Sequence, residues 1–147
     1  LDKKIYSETP LDPADALADP WRSQGHTVID LGGDTFTRGR AHPMIDLRLR
    51  NERILAEAAD PETAVILLDV VLGHGAHADP GPNIAAAIGE ARRGAAGEIA
   101  FVASVCGTET DPQCRSRQVT ALRDADVKVA DSNAEAVLWA ASILDRG

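Results

Sequence analysis

The chain has 147 residues, of which 44% are apolar and 26% charged, the usual balance of a globular protein with one domain. Its net charge of −8 argues against a nucleic-acid-binding protein, which needs a basic face to displace counterions. No apolar run approaches the ~20 residues of a membrane span, and two cysteines are too few for a disulfide framework, so we expect a cytoplasmic protein without a membrane partner.

The first segment of the chain has no hydrophobic periodicity. Residues 1–25 contain Pro10, Pro13 and Pro20, and we predict an extended lead-in with at most one helical turn. From residue 26 to residue 147 apolar runs and helical periods alternate. We therefore predict a lead-in over 1–25 and a single folded domain over 26–147.

Four apolar runs in the second region predict strands. They lie at residues 27–31, 65–72, 99–105 and 127–130. Because such runs are nearly continuous, they are typical of parallel strands that are covered on both faces. Helical spacing predicts helices at residues 45–58 and 82–93, one opening at Asp111–Pro112, and a last one capped by Ser132 or Asn133. This order predicts an α/β fold with a doubly wound, mostly parallel sheet of about four strands.

The loop after the first strand, residues 32–43, is longer than the ~2–6 residues of an ordinary strand-to-helix connection. Since ligands bind at the carboxyl ends of strands in such sheets, its Arg38, Arg40 and His42 are candidates for binding a carboxylate. They also begin an arginine-rich stretch that continues to Arg53. The alternative is that these are surface arginines, paired with Asp34 and Asp46.

The loop after the second strand contains His74 and His77 between glycines, and a helix N-terminus follows it. The free amides and dipole of a helix N-terminus favour an anion, and a histidine can accept a phosphoryl group or transfer a proton. The alternative is that both histidines bond backbone carbonyls. Because no third and fourth ligand is apparent, we predict no metal site.

The loop after the third strand runs from Cys106 to Pro112 and also leads into a predicted helix. Two helix N-termini on adjacent strands can converge on one anion. For Cys106 we expect a buried, inert thiol rather than a nucleophile.

Four segments of the chain resemble one known family. They are GHTVIDLGGD (25–34), TRGRAHPMID (37–46), VILLDVVLGHGAHADP (65–80) and VASVCGTETDP (102–112). Together they resemble the C-terminal, CoA-ligase-type domain of the FdrA family, which is related to succinyl-CoA synthetase. The resemblance implies a flavodoxin-like fold.

In the ligase family, paired helix N-termini stabilise a phosphohistidine that passes its phosphoryl group to a carboxylic acid, which CoA then captures. The resemblance therefore implies a domain that presents helix N-termini to a phosphate or acyl phosphate. The candidate phosphate-binding residues are Gly32, Gly33, Gly73, Gly75, Gly107 and Thr108. His74 and His77 are the candidate catalytic residues, although the phosphorylated histidine of the ligases belongs to the other half of the enzyme.

FdrA proteins are also associated with carbamoyl transfer to oxamate, so a carbamoyltransferase subunit that uses carbamoyl phosphate is an alternative. A non-catalytic interface or regulatory domain is another. We expect no tightly bound cofactor, with CoA, acyl phosphate or carbamoyl phosphate as a substrate of the full enzyme. The expected partners are a small anionic substrate, further copies of the chain, and the remaining domains or subunits of an FdrA-type enzyme.

Overall fold

The computed structural model describes residues 4–145, within which the chain forms five short strands and five helices. The strands are β1 (Ile5–Ser7), β2 (His26–Val28), β3 (Val65–Val71), β4 (Ala100–Cys106) and β5 (Lys128–Ala130). The helices are α1 (Asp34–Thr37), α2 (Arg48–Ala58), α3 (Pro80–Gly94), α4 (Arg115–Asp124) and α5 (Asn133–Leu144). No helix of the described residues is long and apolar enough to cross a bilayer.

The strands are parallel throughout, as expected, but they form two sheets instead of one. One sheet pairs β1 with β2, and the other has the order β3-β4-β5. The α/β class that the apolar runs predict is therefore confirmed. The chain divides into two compact units, the first ending at His42 and the second beginning at Pro43.

The first unit contains a strand in the segment for which we predicted only an extended lead-in. Ile5 pairs with His26, so the boundary placed after residue 25 falls between two strands of one sheet. A 3-10 turn follows at Pro13–Asp15, and Ser7 bridges to Ala16. The core of this unit includes Phe36 of α1, whose ring meets that of Trp21 edge-on at 4.9 Å between centroids.

The second unit is a layered sheet with helices on both faces. Side chains of a strand alternate between the two faces, so Ile66 and Phe101 belong to the main core with α2, α3 and α4. Val65 and Val102 belong to a smaller cluster with Ala136 of α5. Helix α3 follows β3 and helix α4 follows β4 after a loop of eight residues each, so the carboxyl ends of these strands lie near the N-terminal ends of the helices.

Two helix starts differ from the sequence predictions. Helix α3 begins at Pro80, two residues before the predicted start. Helix α4 begins at Arg115, so the prediction that Asp111 caps it is wrong. The Asp111 carboxylate instead accepts a hydrogen bond from the Thr108 N–H at 2.5 Å and closes a turn ahead of the helix. Ser132 caps α5 as predicted, accepting from the Glu135 N–H at 3.2 Å.

Candidate functional site

The loops that follow β3 and β4 lie side by side at one end of the sheet. The ladder between the strands continues one residue beyond β3, because the Leu72 N–H donates to the carbonyl of Cys106, the last residue of β4, at 2.9 Å. A Cβ atom on Gly107 would come within 2.7 Å of the Leu72 Cβ. This close approach brings the β3–α3 loop (residues 72–79) against the β4–α4 loop (residues 107–114), as predicted for neighbouring parallel strands.

The β3–α3 loop opens with a tight turn over residues 73–76. The Ala76 N–H donates to the Gly73 carbonyl at 3.3 Å, which closes the turn. Gly75, at the third position, has a φ of 84°, the positive value that a type II turn requires there and that glycine adopts without strain. His74 and Gly75 therefore occupy the corner of the turn, and both are exposed.

Two buried glutamines, which the sequence analysis did not single out, connect this turn to α4. Gln113 and Gln118 are 2% and 0% exposed, respectively. The Gln113 carboxamide bonds Gly73 and His77 of the loop. The Gln118 carboxamide donates to the Asp79 carboxylate at 2.9 Å and accepts from the Gly81 N–H at 2.7 Å. The sequence offered one signal for the burial of Gln118. It lies four positions before Leu122, which is also buried, so the two side chains share one face of the helix.

The N-terminus of α3 has no unengaged N–H group in its first turn. Four N–H groups at a helix start lack partners in the helix itself, here those of residues 79–82. Pro80 and Pro82 have no N–H, the Gly81 N–H donates to Gln118, and the Asp79 N–H donates to the His77 Nδ1 at 3.1 Å. This differs from the expectation of free amides, because two prolines lack the donor and Gln118 and His77 accept from the other two N–H groups. Only the helix dipole remains to attract an anion.

The N-terminus of α4 is already bound to a carboxylate of the chain. Glu109 accepts from the Ser116 N–H at 2.9 Å and from the Cys114 thiol at 3.3 Å. The hydrogen bond with the Ser116 side chain, followed by that with the Cys114 thiol, holds the pKa of the Glu109 carboxyl below its usual value, and the Ser116 N–H lowers it further. Asp111 engages both the N–H and the hydroxyl of Thr108. The β4–α4 loop thus presents two carboxylates, which repel an added anion.

Replacing Glu109 by glutamine is expected to lower the melting temperature at pH 7, because the ionised carboxylate binds the start of α4 only in the folded protein. A folded pKa below the unfolded value of ~4.3 stabilises the fold above that pH, and the contribution is lost as the pH falls through the folded pKa. Thermal unfolding at pH 7, 5 and 3 tests this. The exposed Glu62→Gln variant is the control. A Glu109→Gln effect that is as large at pH 3 as at pH 7 contradicts the assignment.

The two candidate catalytic histidines have different environments. The His77 Nδ1 accepts the Asp79 N–H, and its backbone N–H donates to the Met44 carbonyl at 2.8 Å, so His77 has a structural role in holding the loop. An Nδ1 atom that accepts a hydrogen bond leaves the ring proton on Nε2 in the neutral form. His74 is exposed, and within residues 4–145 its side chain makes no hydrogen bond. Of the two, His74 is therefore the one available to a ligand.

The six candidate phosphate-binding residues also differ in what their backbone can offer. The N–H groups of Gly32 and Gly33 donate to Asp30, at 2.8 Å to its carboxylate and 3.0 Å to its carbonyl. Those of Gly73 and Thr108 are bound as described above. Among the described residues, no partner of the N–H groups of Gly75 and Gly107 is found. The prediction that these six bind phosphate stays a prediction, and Gly75 is the best placed of them.

The three candidate carboxylate-binding residues lie in the first unit. Arg38 follows α1, and the Arg40 guanidinium lies 5.8 Å from the centre of the Trp21 ring. The His42 imidazole packs directly over Gly32, where any side chain would overlap it. All three residues are exposed, and their binding of a carboxylate stays a prediction.

The rest of the arginine-rich stretch is neutralised within the second unit. Arg48 pairs with Asp46 at 2.5 Å, Arg50 with Asp69 at 3.5 Å and Arg53 with Glu57 at 2.5 Å. Of the two carboxylates considered as partners of Arg38 and Arg40, Asp46 is paired with Arg48. The three paired arginines do not add free positive charge to a ligand site.

The two cysteines lie at the two ends of the β4–α4 loop. Cys106 is exposed at the end of β4, so the expectation of a buried thiol is wrong. Cys114 precedes α4 with a φ of 57°, and both cysteines are free thiols. Across residues 4–145, no group of three or more histidine, cysteine or acidic side chains is placed to hold a metal ion.

Comparisons with known proteins identify the family of the chain. The family described as CoA-ligase matches residues 4–143. The uncharacterized protein YahF of Escherichia coli (strain K12) is 41% identical over 146 residues, which is 97% of this chain. The chain spans 28% of the length of YahF. Since the family match covers nearly all of the sequence, the chain belongs to the CoA-ligase family.

Proposed function

We propose that the chain is a domain of an FdrA-type, succinyl-CoA synthetase-like acyl-CoA synthetase, and that its His74–Gly75 turn contacts the phosphate or acyl phosphate. One observation carries the proposal. At the carboxyl ends of β3 and β4, this turn combines exposed, unengaged backbone donors with an unengaged imidazole. The helix starts beside it are occupied by the chain's own groups.

The chemistry of the turn suits a phosphate better than a metal ion or a cation. Backbone N–H groups donate to phosphate oxygens, and an imidazole carries at least one N–H donor in either protonation state. The N-terminal end of α3 adds a partial positive charge nearby, even with its first-turn donors engaged. The two carboxylates of the β4–α4 loop, Glu109 and Asp111, favour the β3–α3 side.

Binding by this domain alone is expected to be weak. Arg117, an arginine close to the loop, pairs with Asp79 at 2.9 Å, and the Arg115 Nε donates to the Val105 carbonyl at 3.2 Å. Both guanidinium groups are therefore already engaged within the chain. The remaining positive charge for an acyl phosphate would come from other domains of the enzyme, in keeping with a chain that spans 28% of YahF.

Equilibrium binding of acetyl phosphate to the chain tests the proposal, with carbamoyl phosphate and CoA as separate arms. We expect a Kd on the order of 1 mM for acetyl phosphate, weakened ~3–10-fold in His74→Ala, because one neutral hydrogen bond contributes about that factor. A preference for carbamoyl phosphate would favour the carbamoyltransferase over the acyl-CoA synthetase.

The control is His26→Ala, which removes an imidazole from β2 and leaves the turn unchanged. It should bind acetyl phosphate like the wild type. The proposal fails if the folded wild type binds none of the three compounds, or if the two histidine variants lose the same affinity.

A further inference from the structure

Gln113 is a neutral polar side chain whose hydrogen-bonding groups are all used inside the protein. Its Oε1 accepts from the Gly73 N–H at 3.1 Å, and its Nε2 donates to the Gly73 carbonyl at 2.9 Å and the His77 carbonyl at 3.1 Å. It is 2% exposed. A single carboxamide therefore binds both ends of the segment 73–77, and His74 and Gly75 project between those ends.

Gln118 of helix α4 holds Gln113 in its position. The Gln113 backbone carbonyl accepts from the Gln118 Nε2 at 2.8 Å, and the same nitrogen donates to Asp79. Gln118 is fully buried, and every amide group of the two glutamine side chains has a hydrogen-bond partner within the chain. The conformation of the β3–α3 loop is thus determined by α4 as well as by β3.

We propose that Gln113 is a positioning residue, which holds the His74–Gly75 turn in the conformation that receives a phosphate. This inference rests on the proposed function. A loop that is ordered before binding does not lose that conformational freedom on binding, so pre-ordering increases affinity. The residue must be a carboxamide of this length, because one group has to accept from an N–H and donate to two carbonyls at once.

The variant Gln113→Glu tests positioning with little change in packing, and exchange of the loop amides distinguishes loop opening from the repulsion that the added charge exerts on phosphate. A glutamate has nearly the same shape and still accepts the Gly73 N–H, but its second oxygen faces the carbonyls of Gly73 and His77, and it cannot donate to them when ionised. The loop is expected to open locally. Affinity for inorganic phosphate should fall by roughly tenfold or more, since a preformed site is lost together with two hydrogen bonds.

The matched control is Val119→Ala, which lowers stability through a cavity in the core beside α4 and leaves Gln113 in place. Phosphate binding is measured below the melting range of both variants, and amide hydrogen exchange is followed in parallel. We expect weaker binding in Gln113→Glu alone, with faster exchange confined to residues 73–78. Gln113→Asn, which is too short to reach both ends of the loop, replaces the glutamate variant if that one does not fold.

The possible failures are distinguishable. If the wild type does not bind phosphate, the proposed function fails, and with it the role of Gln113 in anion binding. If the wild type binds but Gln113→Glu binds within twofold of it, or Val119→Ala loses as much affinity, the positioning role is wrong and the proposed function stands.

Discussion

Replacing Phe101 by alanine is expected to lower the free energy of unfolding by about 3–5 kcal/mol, the usual cost of deleting a buried aromatic side chain. Phe101 lies in the middle strand of the three-stranded sheet and is 1% exposed. Its ring packs in the main core, and the Arg92 guanidinium lies 5.3 Å from the ring centre. The substitution leaves a cavity that rigid neighbours on β3 and β5 cannot fill.

Urea unfolding followed by circular dichroism measures the effect. Leu138→Ala is the control, because that side chain is 68% exposed on α5 and its loss should change stability by no more than about 0.5 kcal/mol. A cost for Phe101→Ala below about 1 kcal/mol would mean that the packing of β4 described here is incorrect.

Replacing Gly81 by alanine is expected to destabilise the second unit by about 1–3 kcal/mol, as overpacking usually does. A Cβ atom at this position would come 2.8 Å from the Gln118 carbonyl oxygen and 3.0 Å from its Cα. Because both are backbone atoms, α3 and α4 have to move apart. That movement would also strain the hydrogen bond from the Gly81 N–H to the Gln118 side chain.

The same substitution at the other end of α3 provides the control. A Cβ atom on Gly94 would meet no atom within 4 Å, so Gly94→Ala should be neutral or slightly stabilising, by up to about 1 kcal/mol. Thermal unfolding of the two variants side by side gives the comparison. Equal stability of Gly81→Ala and Gly94→Ala would contradict the close contact between α3 and Gln118.

Much of the second unit follows from the sequence, because its strands are long apolar runs and its helices have clear periods. The first unit was harder to predict. Strand β1 has three residues, and only its pairing with β2, about twenty positions away in the chain, makes it a strand. The start of α4 was misplaced because Asp111–Pro112 has the composition of a helix start, whereas its carboxylate is bound to Thr108.

The candidate site was located from the sequence only at the level of loops. Glycines and histidines after an apolar run mark a ligand-binding loop, but they do not show which N–H groups are already engaged. That depends on Gln113, Gln118 and Glu109, which belong to the β4–α4 loop or to α4, and which resemble ordinary surface residues in the sequence. One arginine of the predicted basic stretch, Arg50, is likewise paired with a carboxylate, Asp69, that only the fold brings near.

The central claim is that an anion binds at the His74–Gly75 turn and not at the helix starts beside it. Two-dimensional amide NMR of the chain during titration with acetyl phosphate tests this most directly. We expect the largest saturable shifts at His74 and Gly75, with small changes at Gly81 and Ser116, whose N–H groups are engaged within the chain. Saturable shifts centred on Gly81 or Ser116, or confined to residues of the first unit, would contradict the claim.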